Sequence, residues 1–371
     1  MECHSVCPGE RKGHDVLRGH RIRRGPAVPA ALAALLGLAV GAQIVRAPEA
    51  EAFATYYWFS QGHGEHEKIT RAALACPEDK PSDGTCFEED SIDVLAGYRG
   101  YLGGVNAPDS WFYGGELSNP NAHCDNADYI RAEDNGGRPY ARTRAQASDQ
   151  LIACLRHLRD RFHSAARQAG TVFDDDGTLS HWDTRSACAD YGAPGDRTRA
   201  KCRFVDLFGR ALHGVQDFYS HSNWVDSADP GRPTGVANPP GMHRNGVFPL
   251  MSFRLPLASP SDVPERLATG CYPSDECAGR IRHDEELNKD VAEIDPVTGA
   301  VTRDGTSARG RIADNQERAV LWAIRDTRRQ WAAMRDEIKA RYGGKGDIVI
   351  CALTHDTPVA NWPWTTGDCE K

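Results

Sequence analysis

The sequence predicts a mainly α domain, several helices joined by long irregular loops and stapled by disulfides. Three observations predict it. Apolar residues recur at three- and four-residue intervals over several long stretches, the repeat of a helix with one buried face. Segments rich in Gly and Pro separate them. Of the 12 cysteines, all but Cys3 and Cys7 lie beyond residue 54, and they are even in number. With 371 residues, 40% hydrophobic and 26% charged, the chain can bury a sizeable core, which excludes disorder of the whole.

Residues 1–54 read as an export signal. Arg18, Arg21, Arg23 and Arg24 form a basic stretch, an apolar run extends from Ala27 to Val45, and Ala52-Phe53-Ala54 supplies the small residues that a signal peptidase reads. Pro29, Gly37 and Gly41 interrupt the run and argue against a membrane anchor. Loss of this segment, with seven Lys/Arg and five Asp/Glu, takes the formal net charge from −8 to −10. So acidic a chain repels nucleic acid and anionic lipid unless bound cations reverse the sign locally. An exported chain is disulfide-bonded, and pairing by proximity gives Cys76–Cys86, Cys188–Cys202, Cys271–Cys277 and Cys351–Cys369, leaving Cys124 with Cys154. No CxxC pair lies beyond residue 54, which argues against a cysteine-zinc ribbon.

Beyond the leader we expect a helical body over 55–345 and a disulfide-tethered tail over 346–371. Residues 65–76, EHEKITRAALAC, predict a helix with Ile69, Ala72 and Ala73 on one side. Residues 99–125, rich in Gly, Asn, Pro and aromatics, predict an ordered irregular loop. Leu151, Ile152, Leu155, Leu158 and Phe162 mark a helix over 145–169; Phe204, Val205, Phe208, Leu212 and Val215 mark another over 201–222. Residues 223–263 hold seven prolines and predict loop. Asp295-Pro296-Val297-Thr298-Gly299 predicts a hairpin tip. The longest helix is expected over 311–342, ended by Gly343-Gly344.

Chemistry concentrates in GRALHGVQDFYSH, residues 209–221. On a helix His213, Asp217 and His221 stand four apart on one face, a column of two imidazoles and a carboxylate beside the apolar stripe. These are the usual non-thiolate ligands of zinc, and the spacing also fits a polar face with a His–Asp hydrogen bond. Upstream, Asp109 and His123 stand 14 residues apart in loops, where each could equally be a turn or surface residue. Two further groups are His63 and His66 at a helix start, and Arg282-His283-Asp284-Glu285-Glu286-Leu287-Asn288-Lys289-Asp290, which alone reads as a solvated charge run.

The run ALHGVQDFYSHSNWVD, with His66-Glu67-Lys68-Ile69-Thr70 before it and His283 to Asp290 after it, resembles the CinY-like secreted bacterial proteins and the Het-C (heterokaryon-incompatibility) proteins. Those are similar to zinc-dependent phospholipases C and single-strand nucleases, an all-helical superfamily that holds three zinc ions. The resemblance spans most of residues 60–290. It implies a zinc held by Asp109, His123, His213 and Asp217, with Asp109 doubling as general base. It implies a second zinc bridged by Asp217 and held by an early histidine, His66 or in its place His63, and a third held by His221 and His283. The carboxylate expected one turn after His283 falls on Leu287, so Glu286 or Asp290 must serve. Asp217 and His221 are four apart where those enzymes have a longer spacing.

A zinc cluster of this kind keeps net positive charge against its carboxylates, which suits a phosphodiester anion, and activates water for in-line attack. Tyr219, Trp224 and Trp111 are candidates to line the substrate mouth, as aromatics that could also be core. The expected function is a secreted, zinc-dependent, phospholipase C-like phosphoesterase, acting on phospholipid or another phosphodiester with transient contact to a membrane surface. The alternatives are a zinc nuclease, disfavoured by the acidic balance, and a non-catalytic protein whose metal serves folding.

Overall fold

The computed structural model describes residues 64–98, 102–110, 115–188, 199–290, 293–302, 306–360 and 366–370. The leader 1–54 with its cleavage site, His63 and Trp111 lie outside these residues. Eight helices and one small hairpin make up the regular α and β structure described: α1 Glu65–Leu74, α2 Glu89–Ala96, α3 Gly103–Asn106, α4 Pro120–His123, α5 Arg144–Ala169, α6 Ala200–His221, β1 Glu293–Ile294, β2 Val301–Thr302, α7 Asn315–Tyr342 and α8 Gly346–Thr354. The chain is mainly helical, as the apolar spacing predicts.

The architecture is organised around α6. Its stripe of Phe204, Val205, Phe208, Leu212, Val215 and Phe218 is fully buried, and so is nearly every other residue of the helix. A helix enclosed on all sides has no face left for water, so its polar side chains must find partners within the protein. On one flank lies α5, whose start is fixed by a capping box between Thr143 and Gln146. On another lies α7, where Trp331 meets Phe204 and Phe208 at ring separations of 6.3 and 5.8 Å. Phe162 of α5 closes this group against Phe208 and Phe253.

Two short helices cross α6 at glycines. A Cβ on Gly209 would fall 2.3 Å from the backbone carbon of Gly104, and one on Gly214 would fall 2.4 Å from the Ala122 carbonyl oxygen. Only a residue without a side chain lets α3 and α4 approach this far. Asp109, in the loop after α3, and His123, at the end of α4, are thereby laid against α6.

Five disulfides join Cys76 to Cys86, Cys124 to Cys154, Cys188 to Cys202, Cys271 to Cys277 and Cys351 to Cys369, the pairing that proximity suggested. Five such bridges belong to an oxidising, extracellular-type environment. No described helix is long and apolar enough to cross a membrane. The hairpin tip forms as expected: β1 pairs antiparallel with β2, Glu293 opposite Thr302, and Asp295 accepts the Val297 and Thr298 amides across the turn.

Several expectations are refined. The 99–125 stretch contains α3 and α4, each one turn long. The long C-terminal helix starts at Asn315, four residues later than its apolar repeat suggested. Within the C-terminal stretch, α8 buries Val349, Ile350, Ala352 and Leu353 in the main core.

Candidate metal centre

The column on α6 is buried. His213 and Asp217 have no exposed surface, and His221 is 1% exposed. Around His213 and Asp217 the structure gathers His66 from the first turn of α1, Asp109 from the loop after α3, and His123 from the end of α4. His213 Nε2 lies 3.0 Å from Asp217 Oδ2, 3.3 Å from Asp109 Oδ1 and 2.9 Å from His123 Nδ1. His123 Nδ1 lies 2.9 Å from Asp217 Oδ2 and 3.8 Å from Asp109 Oδ1. His66 Nε2 lies 3.1 Å from Asp217 Oδ1, with its ring stacked on His213 at 4.1 Å. The edge between two ligands of a tetrahedral zinc is about 3.3 Å, so these separations suit donors facing one ion.

The hydrogen bonds on the far side of each ring fix which nitrogen faces inward. His213 Nδ1 donates to the Val105 carbonyl at 2.9 Å. His123 Nε2 donates to the Glu116 carbonyl at 3.2 Å. His66 Nδ1 meets Gln216 Oε1 at 2.8 Å, and the amide is oriented because Gln216 Nε2 donates to Thr70 and Thr327. Each imidazole spends its N–H outward on a carbonyl oxygen and presents a lone pair inward, the arrangement of metal-binding histidines. The inner atoms are then all acceptors. One proton can bridge a single pair of them, whereas a divalent cation satisfies the whole set.

Electrostatics show the same demand for positive charge. Burial disfavours the His213 imidazolium, yet Asp217 and Asp109 outweigh it and hold its pKa well above the usual value. Burial likewise works against ionised Asp217, but His213 and His66 hold it well below the usual carboxylate range. Asp109 is lowered against burial by His213 and His123. Glu116, whose carbonyl orients His123, is anchored by His157 and Arg161 at 3.0 Å and Arg210 at 3.1 Å. Against its burial, the hydrogen bond from His157 and the charge of Arg161 hold the carboxyl far below its usual range.

One turn along α6 a second group forms. The rings of His221 and His283 lie with centroids 3.6 Å apart, tilted by 55°. His283 Nδ1 meets Asp125 Oδ1 at 2.7 Å, and His221 Nε2 meets Asp290 Oδ2 at 3.1 Å. Burial opposes a proton on His283, but Asp125 raises its pKa to about 9. Burial, and then the charge of His283, lower that of His221.

The structure therefore brings together Asp109, His123, His213, Asp217 and His66 in one set and His221, His283 and Asp290 in another. It does not bring Glu286 to either: that carboxylate turns back on Arg282, accepting its backbone N–H at 2.7 Å and its guanidinium at 3.1 Å. Tyr219 is not at a mouth. It has no exposed surface, donates to Asp326 at 2.6 Å and accepts the Phe248 amide. Trp224 also packs inward, on Phe248 at 5.1 Å, with its indole N–H on the Gly246 carbonyl. Both aromatics, Tyr219 on α6 and Trp224 just beyond its end, belong to the main core. Sequence reasoning passed over Asp125. Its sole signal is adjacency to His123 across Cys124, and no periodicity marks a loop residue.

Among the described residues, three buried trios of donors can each be spanned by an ion: His66, His213 and Asp217; Asp109, His123 and His213; Asp125, His221 and His283. A fourth, Cys351, His355 and Cys369, is closed by the bond between its sulfurs. Set against family models, curated proteins and solved structures, the chain matches none of them.

Proposed function

We propose that the chain is a secreted zinc-dependent phosphodiester hydrolase of the phospholipase C type, with its reactive centre at Asp109, His123, His213 and Asp217. One observation carries the reading: His123 and His213 face each other at 2.9 Å through their inner nitrogens, their outer N–H groups already given to carbonyls, with two carboxylates closing the set. Nitrogen and oxygen donors without thiolate suit a hydrolytic zinc. When bound, zinc supplies a Lewis acid that polarises a phosphoryl oxygen and lowers the pKa of water to about 7. Val105 and Glu116 hold the two imidazoles in the required tautomer. Asp109 and His123, 2% and 4% exposed, form the edge of the set nearest solvent, which fits Asp109 for receiving a proton from the attacking water. The net negative charge of the chain favours a lipid phosphodiester over nucleic acid.

The second reading is a metal that serves folding alone, favoured by the complete burial of His66, His213 and Asp217. Zinc content of the full chain, with hydrolysis of bis-p-nitrophenyl phosphate, phosphatidylcholine vesicles and single-stranded DNA, separates the two. We expect turnover of phosphatidylcholine that is lost on chelation and in His213→Ala. Tightly held zinc with no turnover of any substrate sinks the hydrolase and leaves the structural metal.

A further inference from the structure

We propose that Cys351, Cys369 and His355 form a redox-gated zinc site, closed while the two sulfurs are bonded and opened when a dithiol reduces that bridge. The inference lies beyond the proposed function and shares no residue with it. The spacing of the sequence gives no sign of it, because the two cysteines stand 18 residues apart.

The geometry is largely in place. One donor atom from each of the three residues lies within 4.8 Å of the other two. His355 follows the last residue of α8, one turn beyond Cys351, and its Nδ1 stands 3.5 Å from Cys351 Sγ. With bonds of about 2.3 Å to sulfur and about 2.0 Å to nitrogen, the sulfur–nitrogen edge of a tetrahedral zinc site is about 3.5 Å. The sulfurs have only to part to about 3.8 Å once their bond is gone. In the bonded form His355 Nδ1 carries the proton, donating to the Cys351 carbonyl at 3.0 Å. With zinc at Nδ1 the ring carries its proton on Nε2, which lies 3.8 Å from Glu88 Oε1. Glu88 is itself held in place by the backbone amides of Ser82 at 2.9 Å and Asp356 at 2.8 Å. Two thiolates, an imidazole backed by a carboxylate and a fourth position left open make a set that zinc accepts.

Of the five bridges this one is fitted to open. Cys124–Cys154 and Cys271–Cys277 are sealed, with each cysteine at most 1% exposed. Cys76–Cys86 and Cys188–Cys202 each include a half-buried cysteine, as Cys351–Cys369 does. Among the described residues, however, only Cys351 has an imidazole within reach of its sulfur. The His355 N–H favours departure of Cys351 as a thiolate, and a better leaving thiolate speeds exchange. Cys369, the sulfur to be attacked, lies between exposed Asp368 and Glu370. Backbone bonds from Asp368 to the Thr357 carbonyl at 3.0 Å and from Cys369 to the Pro358 carbonyl at 3.1 Å tie this segment down, so a small local opening admits the attacking group. A dithiol of the thioredoxin kind supplies both electrons. One of its thiolates attacks Cys369 Sγ and Cys351 leaves; its second thiol then resolves the mixed disulfide. The protein gains two thiols as the dithiol becomes a disulfide. Zinc uptake releases both thiol protons to solvent.

The test uses the full oxidised chain. A limiting amount of a water-soluble phosphine under native conditions, then N-ethylmaleimide and peptide mapping, shows which cysteines are freed first. Cobalt(II) added to the opened protein reports the ligands, because thiolate gives it a near-ultraviolet charge-transfer band that imidazoles and carboxylates do not. We expect Cys351 and Cys369 to be freed before the cysteines of the other four bridges. Cobalt should then produce the band, zinc should displace it, and reoxidation should expel the metal. Affinity should fall about 10–100-fold in Glu88→Gln and by more than that in His355→Gln, with circular dichroism as in the wild type. A different bridge opening first overturns the proposal. So does an opened Cys351–Cys369 pair that gives no band, or one that holds cobalt equally well in His355→Gln. None of these outcomes bears on the centre at His213, whose own failure shows as absent turnover with this band intact.

Discussion

Without a metal the second cluster holds a proton, and the energetic consequence can be read against pH. Asp125 raises the buried His283 to about 9, against 6.5 in an unfolded chain. Because the folded value lies above the unfolded one, His283 contributes its full stabilisation below pH 6.5 and loses it as pH rises through 9. A gap of this size corresponds to about 3 kcal/mol. His221 acts in the opposite sense and at the low end of the range, since burial lowers its pKa and its contribution grows only until the unfolded imidazole has lost its proton, just above pH 6.5. Lys201 and Lys289 act oppositely above pH 8. Burial lowers each to about 8, so the unfolded chain binds their protons more tightly and stability rises as pH climbs from there to 10.5. A His283→Gln variant keeps both lysines, so subtracting its curve cancels them. The assay is urea unfolding of wild type and variant in chelator from pH 6 to 9.5. The wild-type advantage should shrink by about 3 kcal/mol between pH 6.5 and 9. With saturating zinc the trend should reverse, because the metal binds deprotonated ligands and gains as protons leave. A difference that stays flat in chelator refutes the buried His283–Asp125 pair.

Three further outcomes are expected. Gly214→Ala gains about 1 kcal/mol of helix propensity but drives a Cβ into the Ala122 carbonyl and Leu158, so we expect a net loss of about 1–2 kcal/mol in urea unfolding and weaker zinc binding through the displaced His123; a neutral result means that α4 does not sit this close. Lys201→Met should lose ground to wild type by about 3 kcal/mol as pH rises from 8 to 10.5, because deprotonation relieves the buried ammonium only where it exists; parallel denaturation curves across that range refute the burial. Glu286→Gln should leave zinc content unchanged while Asp109→Asn lowers it, since Glu286 is engaged with Arg282 and Asp109 faces His213; equal losses by elemental analysis contradict both placements.

Periodicity made the long helices legible. The stripes on α5 and α6 place Leu155, Phe162, Phe204 and Phe208 in the core, where they are found. It failed for α2, whose eight residues carry an acidic first turn and too few apolar positions for a repeat to stand out. The His213–Asp217–His221 column was legible because a helix converts spacing into direction. Asp125 was not, since nothing in a loop does so: its neighbour Cys124 has φ 57°, a turn that spacing cannot encode. Tyr219 and Trp224 show a different limit. A substrate mouth and a core draw on the same aromatic residues, and only the partners of the Tyr219 hydroxyl and the Trp224 indole N–H tell them apart.

The rod-like character of α6 has a metrical consequence. Asp217 belongs to one donor set and His221 to the next, and four residues of helix separate their Cα atoms by about 6 Å. Surface segments can lengthen or drift among related chains without altering that interval, because it is ruled by the pitch of a buried screw. Whatever ions the two sets accept, their separation is a constant of the backbone, and a change in it requires unwinding the central helix itself.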